Sequence, residues 1–130
     1  MHIVSDASPL ISLADAGYLT LIQLAFTTIA IPEEVNREVF KTGRTRPKPS
    51  WVRVCTLSDP LGLLLFSQLR IVLDDGEAEA IALAKVIGAI VLIDEVVGTS
   101  ACVARCVPCL STAQMISGLR TDQKISQKTL

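Results

Sequence analysis

Two apolar runs in this chain each stop at a carboxylate. Near the start, His2-Ile3-Val4-Ser5 leads into Asp6; much later, Ala89-Ile90-Val91-Leu92-Ile93 leads into Asp94 and Glu95. Apolar runs that do not alternate with polar residues suit strands buried on both faces, as in a parallel sheet with helices on either side. Such sheets bind ligands in the crevice outside the carboxyl ends of their strands. Acids at two strand tips therefore predict one shared, negatively charged pocket. Crowded carboxylates repel, and a hard divalent cation with oxygen ligands is the simplest relief.

The segments between the two runs fit the same architecture. Ser8-Pro9 is a helix start, with Ser8 as the expected cap, and Gly17 ends that helix. Residues 18–25 predict a second helix, 27–31 a strand, and Pro32 opens a helix through about residue 40. Residues 41–50 read as a loop carrying Lys41, Arg44, Arg46 and Lys48, and 51–56 as a short edge strand. Helices follow at 60–70 and 77–87, the latter preceded by turn residues Asp74-Asp75-Gly76 and closed by Gly88. After the strand at 89–93 come a helix at 97–105, a strand at 107–110 and a helix at 112–119. Strands alternating with helices predict an α/β fold, an α/β/α sandwich around a mostly parallel sheet. One domain is expected over residues 1–119, with a polar tail at 120–130.

Composition narrows the function classes. The chain has 130 residues, half of them apolar, enough for a sizeable core. Twelve basic residues against 13 acidic ones give a net charge of −1, so any polyanion contact must come from a local patch. Aromatic residues are too sparse for a binder that stacks single-stranded bases. No apolar run reaches the ~18 residues of a membrane span, and no secretory signal is evident, so a cytoplasmic protein is expected. Cys55, Cys102, Cys106 and Cys109 are expected to be thiols rather than disulfides in that compartment. The Cys102-x3-Cys106-x2-Cys109 spacing resembles that of radical SAM clusters, but those enzymes need a much larger barrel. Cys102 and Cys106 also fit plain packing on one helix face.

The acids divide by position. Asp6 follows a buried strand and is left free if Ser8 caps the helix. Glu34 and Glu38 share a helix face beside Arg37, which a solvated charged surface also explains. Glu77 shares a stripe with Ala80, Ile81, Ala84 and Gly88, small enough to press on the sheet, so Glu77 should tip inward over the strand ends. Glu79 lies with Leu83 and is the weaker candidate. Asp94 and Glu95 are adjacent at one strand tip; one is expected to face Asp6, and which one stays open.

Four stretches, in order, resemble PIN-domain proteins. They are Ser5-Asp6-Ala7-Ser8-Pro9-Leu10-Ile11, Ile31-Pro32-Glu33-Glu34-Val35-x-x-Glu38-Val39, Asp75-Gly76-Glu77-Ala78-Glu79-Ala80-Ile81-Ala82-Leu83-Ala84 and Leu92-Ile93-Asp94-Glu95. The branch they resemble is a VapC-like toxin subgroup formerly catalogued as a domain of unknown function. The resemblance covers about residues 1–112. It implies a metal-dependent endoribonuclease of toxin–antitoxin type, with RNA as substrate and a cognate antitoxin and a homodimer mate as candidate partners. Carried over by position, the catalytic acids are Asp6, Glu38, Glu77 and Asp94, with Glu95 added as a metal ligand, and Ser8 matches the small polar residue after the first acid. One or two Mg2+ or Mn2+ ions are implied. The basic loop at 41–48 is a candidate for the RNA backbone.

The chain departs from that pattern after Glu95. An arginine-rich helix and a following glycine are usual there. Here Val96 to Cys106 contains a single basic residue, Arg105, and Cys106 and Ser111 stand where glycines are expected. Fewer cations weaken phosphate contacts. A PIN-like module with little or no activity, binding RNA or a protein partner, is therefore the alternative expectation. A receiver-like phosphoacceptor domain fits less well, lacking the lysine near the last strand and the aspartate after the third.

Overall fold

The N-terminal apolar run forms β1 (Ile3–Ser5), buried along its whole length. In the computed structural model, which describes residues 2–42 and 46–125, β1 is the middle strand of a five-stranded, all-parallel sheet. Its partners are β2 (Ile29–Ile31), β3 (Val52–Val54), β4 (Ile90–Leu92) and β5 (Cys109–Leu110), in the order β3-β2-β1-β4-β5. Val4 stands in register with Ala30 on one side and Val91 on the other. The predicted edge strand at 51–56 is β3, and it lies at the edge.

Helices connect the strands. They are α1 (Ala7–Ala16), α2 (Thr20–Phe26), α3 (Glu33–Asn36), α4 (Pro60–Leu69), α5 (Asp75–Ile87), α6 (Val96–Ala104) and α7 (Thr112–Thr121). α3 runs directly into a π-helical turn, Arg37–Lys41. Strand residues alternate between two cores. Ile3, Ile29, Ile31 and Leu92 pack with Leu10, Ile22, Val35 and Met115, so α1, α2, α3 and α7 cover one face. Val4, Val91 and Ile93 pack with Leu69, Ile81, Ala84 and Cys102, so α4, α5 and α6 cover the other. Both faces are dry, which is why the strands read as continuous apolar runs. The architecture is the α/β/α sandwich that the sequence predicts. No helix among the described residues is long and apolar enough to cross a membrane.

Local chemistry explains most boundaries. Gly17 and Gly88 close α1 and α5 in the left-handed conformation, at φ 82° and 68°. Asp59 accepts the Leu61 and Gly62 N–H groups ahead of Pro60. Ser111, one of the residues standing for an expected glycine, caps α7 through a reciprocal pair of hydrogen bonds with Gln114. Three expectations need correction. Asp6, and not Ser8, occupies the N-cap position of α1. Asp75 and Gly76 are helical, because Asp74 caps α5 by accepting the Glu77 N–H at 2.8 Å. α7 continues through Thr121, past its predicted end.

The four cysteines are free. Cys102 is fully buried, and burial, reinforced by neighbouring Cys109, pushes its thiol up to about 12. It is a packing residue. Cys106 is exposed and holds φ 56°, a conformation that glycine adopts without steric cost. Cys106→Gly should therefore stabilise the fold by roughly 0.5–1 kcal/mol, read as a higher urea midpoint at unchanged slope. A lower midpoint would contradict that account.

Candidate active site

β1, β2 and β3 build outward on one side, and the chain then crosses to place β4 and β5 on the other. The β1/β4 boundary is thus the switch point of the sheet, where parallel α/β folds open a crevice. Asp6 leaves β1 there, its N–H still donating to the Leu92 carbonyl at 2.9 Å. Glu95 leaves β4 beside it and receives the Ser8 hydroxyl at 3.5 Å.

Asp6 is 2 % exposed, although it sits at a helix cap. Burial pushes its carboxyl up to about 7, the Ala7 N–H pulls it back in part, and the charges of Asp74, Glu38 and Glu95 raise it further. Beyond the Ala7 N–H, its side chain makes no capping hydrogen bond with the first turn of α1. The acid is free for another role, though the expected reason, a Ser8 cap, is not the one that operates.

Glu77 tips inward from the first turn of α5 as its small-residue stripe predicts, and is 9 % exposed. Burial raises it first. A hydrogen bond with the Asp74 side chain, the Asp74 charge, Asp6 and Glu95 bring it to about 8. Its Oε2 is buried and has no hydrogen-bond partner among the described residues. That oxygen lies where α6 comes closest, 2.7 Å from the position a Cβ on Gly98 would take.

Glu38 is half-buried in the π-helical turn. Burial raises its carboxyl, with Asp74 and Glu34 adding to the effect and Arg37 opposing it. Its Oε1 lies against the backbone of Gly76, 2.5 Å from where a Cβ would stand. Short π segments inside helices are frequent at functional sites, where they displace a side chain from helical spacing.

Asp94 is placed differently. It is exposed, and its carboxylate accepts both the backbone N–H and the hydroxyl of Thr112, each at 2.8 Å. It ties the start of α7 to the end of β4. Of the adjacent pair, Glu95 is the one whose charge reaches both Asp6 and Glu77. Glu79 accepts the Glu34 N–H at 2.9 Å and serves the contact between α3 and α5. The acid that sequence reading passed over is Asp74, taken as turn chemistry. An aspartate three residues before an inward-facing glutamate, at a helix start, is the pattern that reveals it.

The basic loop is partly committed elsewhere. Arg46 pairs with Asp15 at 3.1 Å, and Lys48 donates to the Val52 carbonyl at 2.7 Å. Arg44 lies outside the described residues. Arg37 pairs with Glu34, and with Lys41 it lines a shallow cavity of about 520 Å³ between α3 and β3.

The donor set suits a hard cation. It consists of anionic oxygen ligands, and one buried carboxylate oxygen has no protein partner among the described residues. Among those residues no three Asp, Glu, His or Cys side chains already stand close enough to hold an ion.

A search of curated proteins found no match. A family model described as a PIN domain matches residues 2–129. The match runs from β1 past the end of α7 and takes in every acid placed above the switch point. The parallel sheet, the acids at its carboxyl edge and a match over nearly the whole length agree: the chain belongs to the PIN-domain family.

Proposed function

We propose that this protein is a divalent-cation-dependent endoribonuclease of toxin–antitoxin type, working at the acids above β1 and β4. Family membership supports nuclease-type chemistry in general. The observation that carries the finer reading is Glu77: a buried carboxylate with an unpartnered oxygen, surrounded by Asp6, Asp74 and Glu95. An anion in that setting calls for a proton or a cation.

Asp6, Glu38, Glu77 and Glu95 are the residues we assign to hold Mg2+ or Mn2+, with Asp94, which the resemblance adds, tethered to Thr112 at the rim. When bound, such an ion supplies a water of lowered pKa and positive charge against the phosphoryl oxygens. The chain's own residues do the placing. Asp6 is fixed by the β1–β4 ladder, Glu77 by the Asp74 cap, and Glu38 by the π turn. Ser8 orients Glu95. Lys41, with Arg37 beside it in its pair with Glu34, offers positive charge to an RNA backbone on the α3 side. A cognate antitoxin, a second copy of the chain and cytoplasmic residence belong to this same reading.

A second reading has its own observation. α6 presents Val96, Val97 and Val103 to solvent, 79 %, 59 % and 69 % exposed, where basic side chains would grip phosphate. A PIN module that binds without cleaving suits that surface. Titrating Mn2+ by calorimetry and assaying RNA cleavage in wild type and Asp6→Asn separates the two. We expect cation-dependent cleavage that EDTA stops and that Asp6→Asn reduces by about 10²-fold or more. Absence of both binding and cleavage in the wild type leaves the module.

A further inference from the structure

We propose that Gly76 is a positioning residue for the candidate cation site, and that the group it positions is Glu38. The inference rests on the reading above and adds a residue to it. Gly76 is buried in the first turn of α5, between Asp74 and Glu77. A Cβ there would stand 2.5 Å from Glu38 Oε1, 3.4 Å from Glu38 Cδ and 3.6 Å from Asp74 Oδ1. The nearest contacts are thus the end of one carboxylate, arriving from a different element. The absent side chain of Gly76 is the space in which the Glu38 carboxylate rests.

The contrast with the other helical glycines sharpens the point. At Gly62 a Cβ would strike Val86 and Leu57, which is helix packing, and at Gly118 it would meet nothing. Among the described glycines, only at Gly76 and Gly98 does the space belong to an acid of the cluster, Glu38 in one case and Glu77 in the other. Glu77 provides the independent sign of a ligand, since its Oε2 is buried and unpartnered among the described residues. Gly98 also abuts the buried Ile93 side chain, so a substitution there would disturb the core as well. Gly76 has no such apolar neighbour.

An alanine at 76 is cheap for the fold. The overlapping atom is the tip of a flexible side chain, and alanine is the better helix former. The Glu38 carboxylate must move out of its rest. If Gly76→Ala acts only by displacing that carboxylate, its effect on binding should vanish once Glu38 has lost its charge, a non-additivity expected of groups that touch.

The test uses the full chain and Mn2+ as the probe, titrated by calorimetry, with thermal melts in EDTA beside it. We expect Gly76→Ala to bind Mn2+ at least tenfold more weakly than wild type while melting in EDTA at the same temperature or higher. In a Glu38→Gln background Gly76→Ala should weaken binding no further, and Gly118→Ala should keep wild-type Mn2+ affinity while melting at the same temperature or higher. Unchanged Mn2+ affinity in Gly76→Ala overturns the proposal and leaves the functional reading standing. Losses that multiply in the Gly76→Ala, Glu38→Gln double variant overturn it too, because Gly76 would then act through something other than Glu38. A wild type that binds no Mn2+ removes the functional reading and this inference together.

Discussion

Stripped of divalent cations, the protein should lose stability as the solution is taken from about pH 5 to about pH 8, and Mn2+ should restore it at the alkaline end. The cause is the pair of buried acids. Asp6 titrates near 3.8 when solvated and near 7 in the fold, and Glu77 moves from 4.5 to about 8. A carboxyl whose folded value is raised binds its proton more tightly folded than unfolded. Its favourable contribution is therefore complete below the unfolded value and disappears as pH rises through the folded one. The window runs from near 4 to near 8. A tenfold gain in proton affinity on folding corresponds to ~1.4 kcal/mol, and relaxation of the site reduces the full sum. A loss of roughly 2–4 kcal/mol remains, on the order of 10 °C in melting temperature.

Asp6→Asn isolates the effect, since it removes the titrating group and keeps an oxygen for the Ala7 N–H. In EDTA its melting temperature should depend on pH roughly half as steeply as that of the wild type, Glu77 still titrating, and at the alkaline end it should exceed it. Thermal melts at both pH values, with EDTA or Mn2+, read all of this. Equal slopes for wild type and Asp6→Asn would mean that burial of Asp6 is not what governs the dependence.

Those two acids were also the legible part of the site. Asp6 ends an unbroken apolar run, and Glu77 lies on a stripe of small residues; both signals are local, and both acids are buried. Gly17 and Gly88 mark helix ends equally plainly, because the left-handed turn is a property of one residue. The less legible features depend on contacts between distant segments. The π turn at Arg37–Lys41 places Glu38 against Gly76, far along the chain, and no spacing within 33–41 announces it. Asp74 reads as a turn residue until α5 is seen to begin at Asp75 and carry it beside Glu77. Ser8-Pro9 looks like a cap and first helical residue, yet the β1–β4 hydrogen bond at Asp6 starts α1 earlier.

The adjacent pair Asp94 and Glu95 shows the same division and offers the second large expected effect. Strand alternation would assign opposite faces, but the chain turns into α6 here, with Glu95 at the cap position, so pleat logic stops applying. The structure commits Asp94 to Thr112, with both carboxylate oxygens engaged, and leaves Glu95 exposed beside it, its charge near enough to raise the carboxyls of Asp6 and Glu77. If Glu95 holds the cation, Glu95→Gln should cut RNA cleavage by about 10²-fold or more and weaken Mn2+ binding, with the apo melting temperature unchanged or higher. Asp94→Ala should show the reverse pattern. It releases the Thr112 N–H at the start of α7 and should cost about 1 kcal/mol of stability, while Mn2+ affinity changes little. Calorimetric titration and melts of the two variants side by side decide it. Should Asp94→Ala abolish Mn2+ binding while Glu95→Gln leaves it intact, the inward ligand is Asp94, and its Thr112 hydrogen bonds must be given up when the cation arrives.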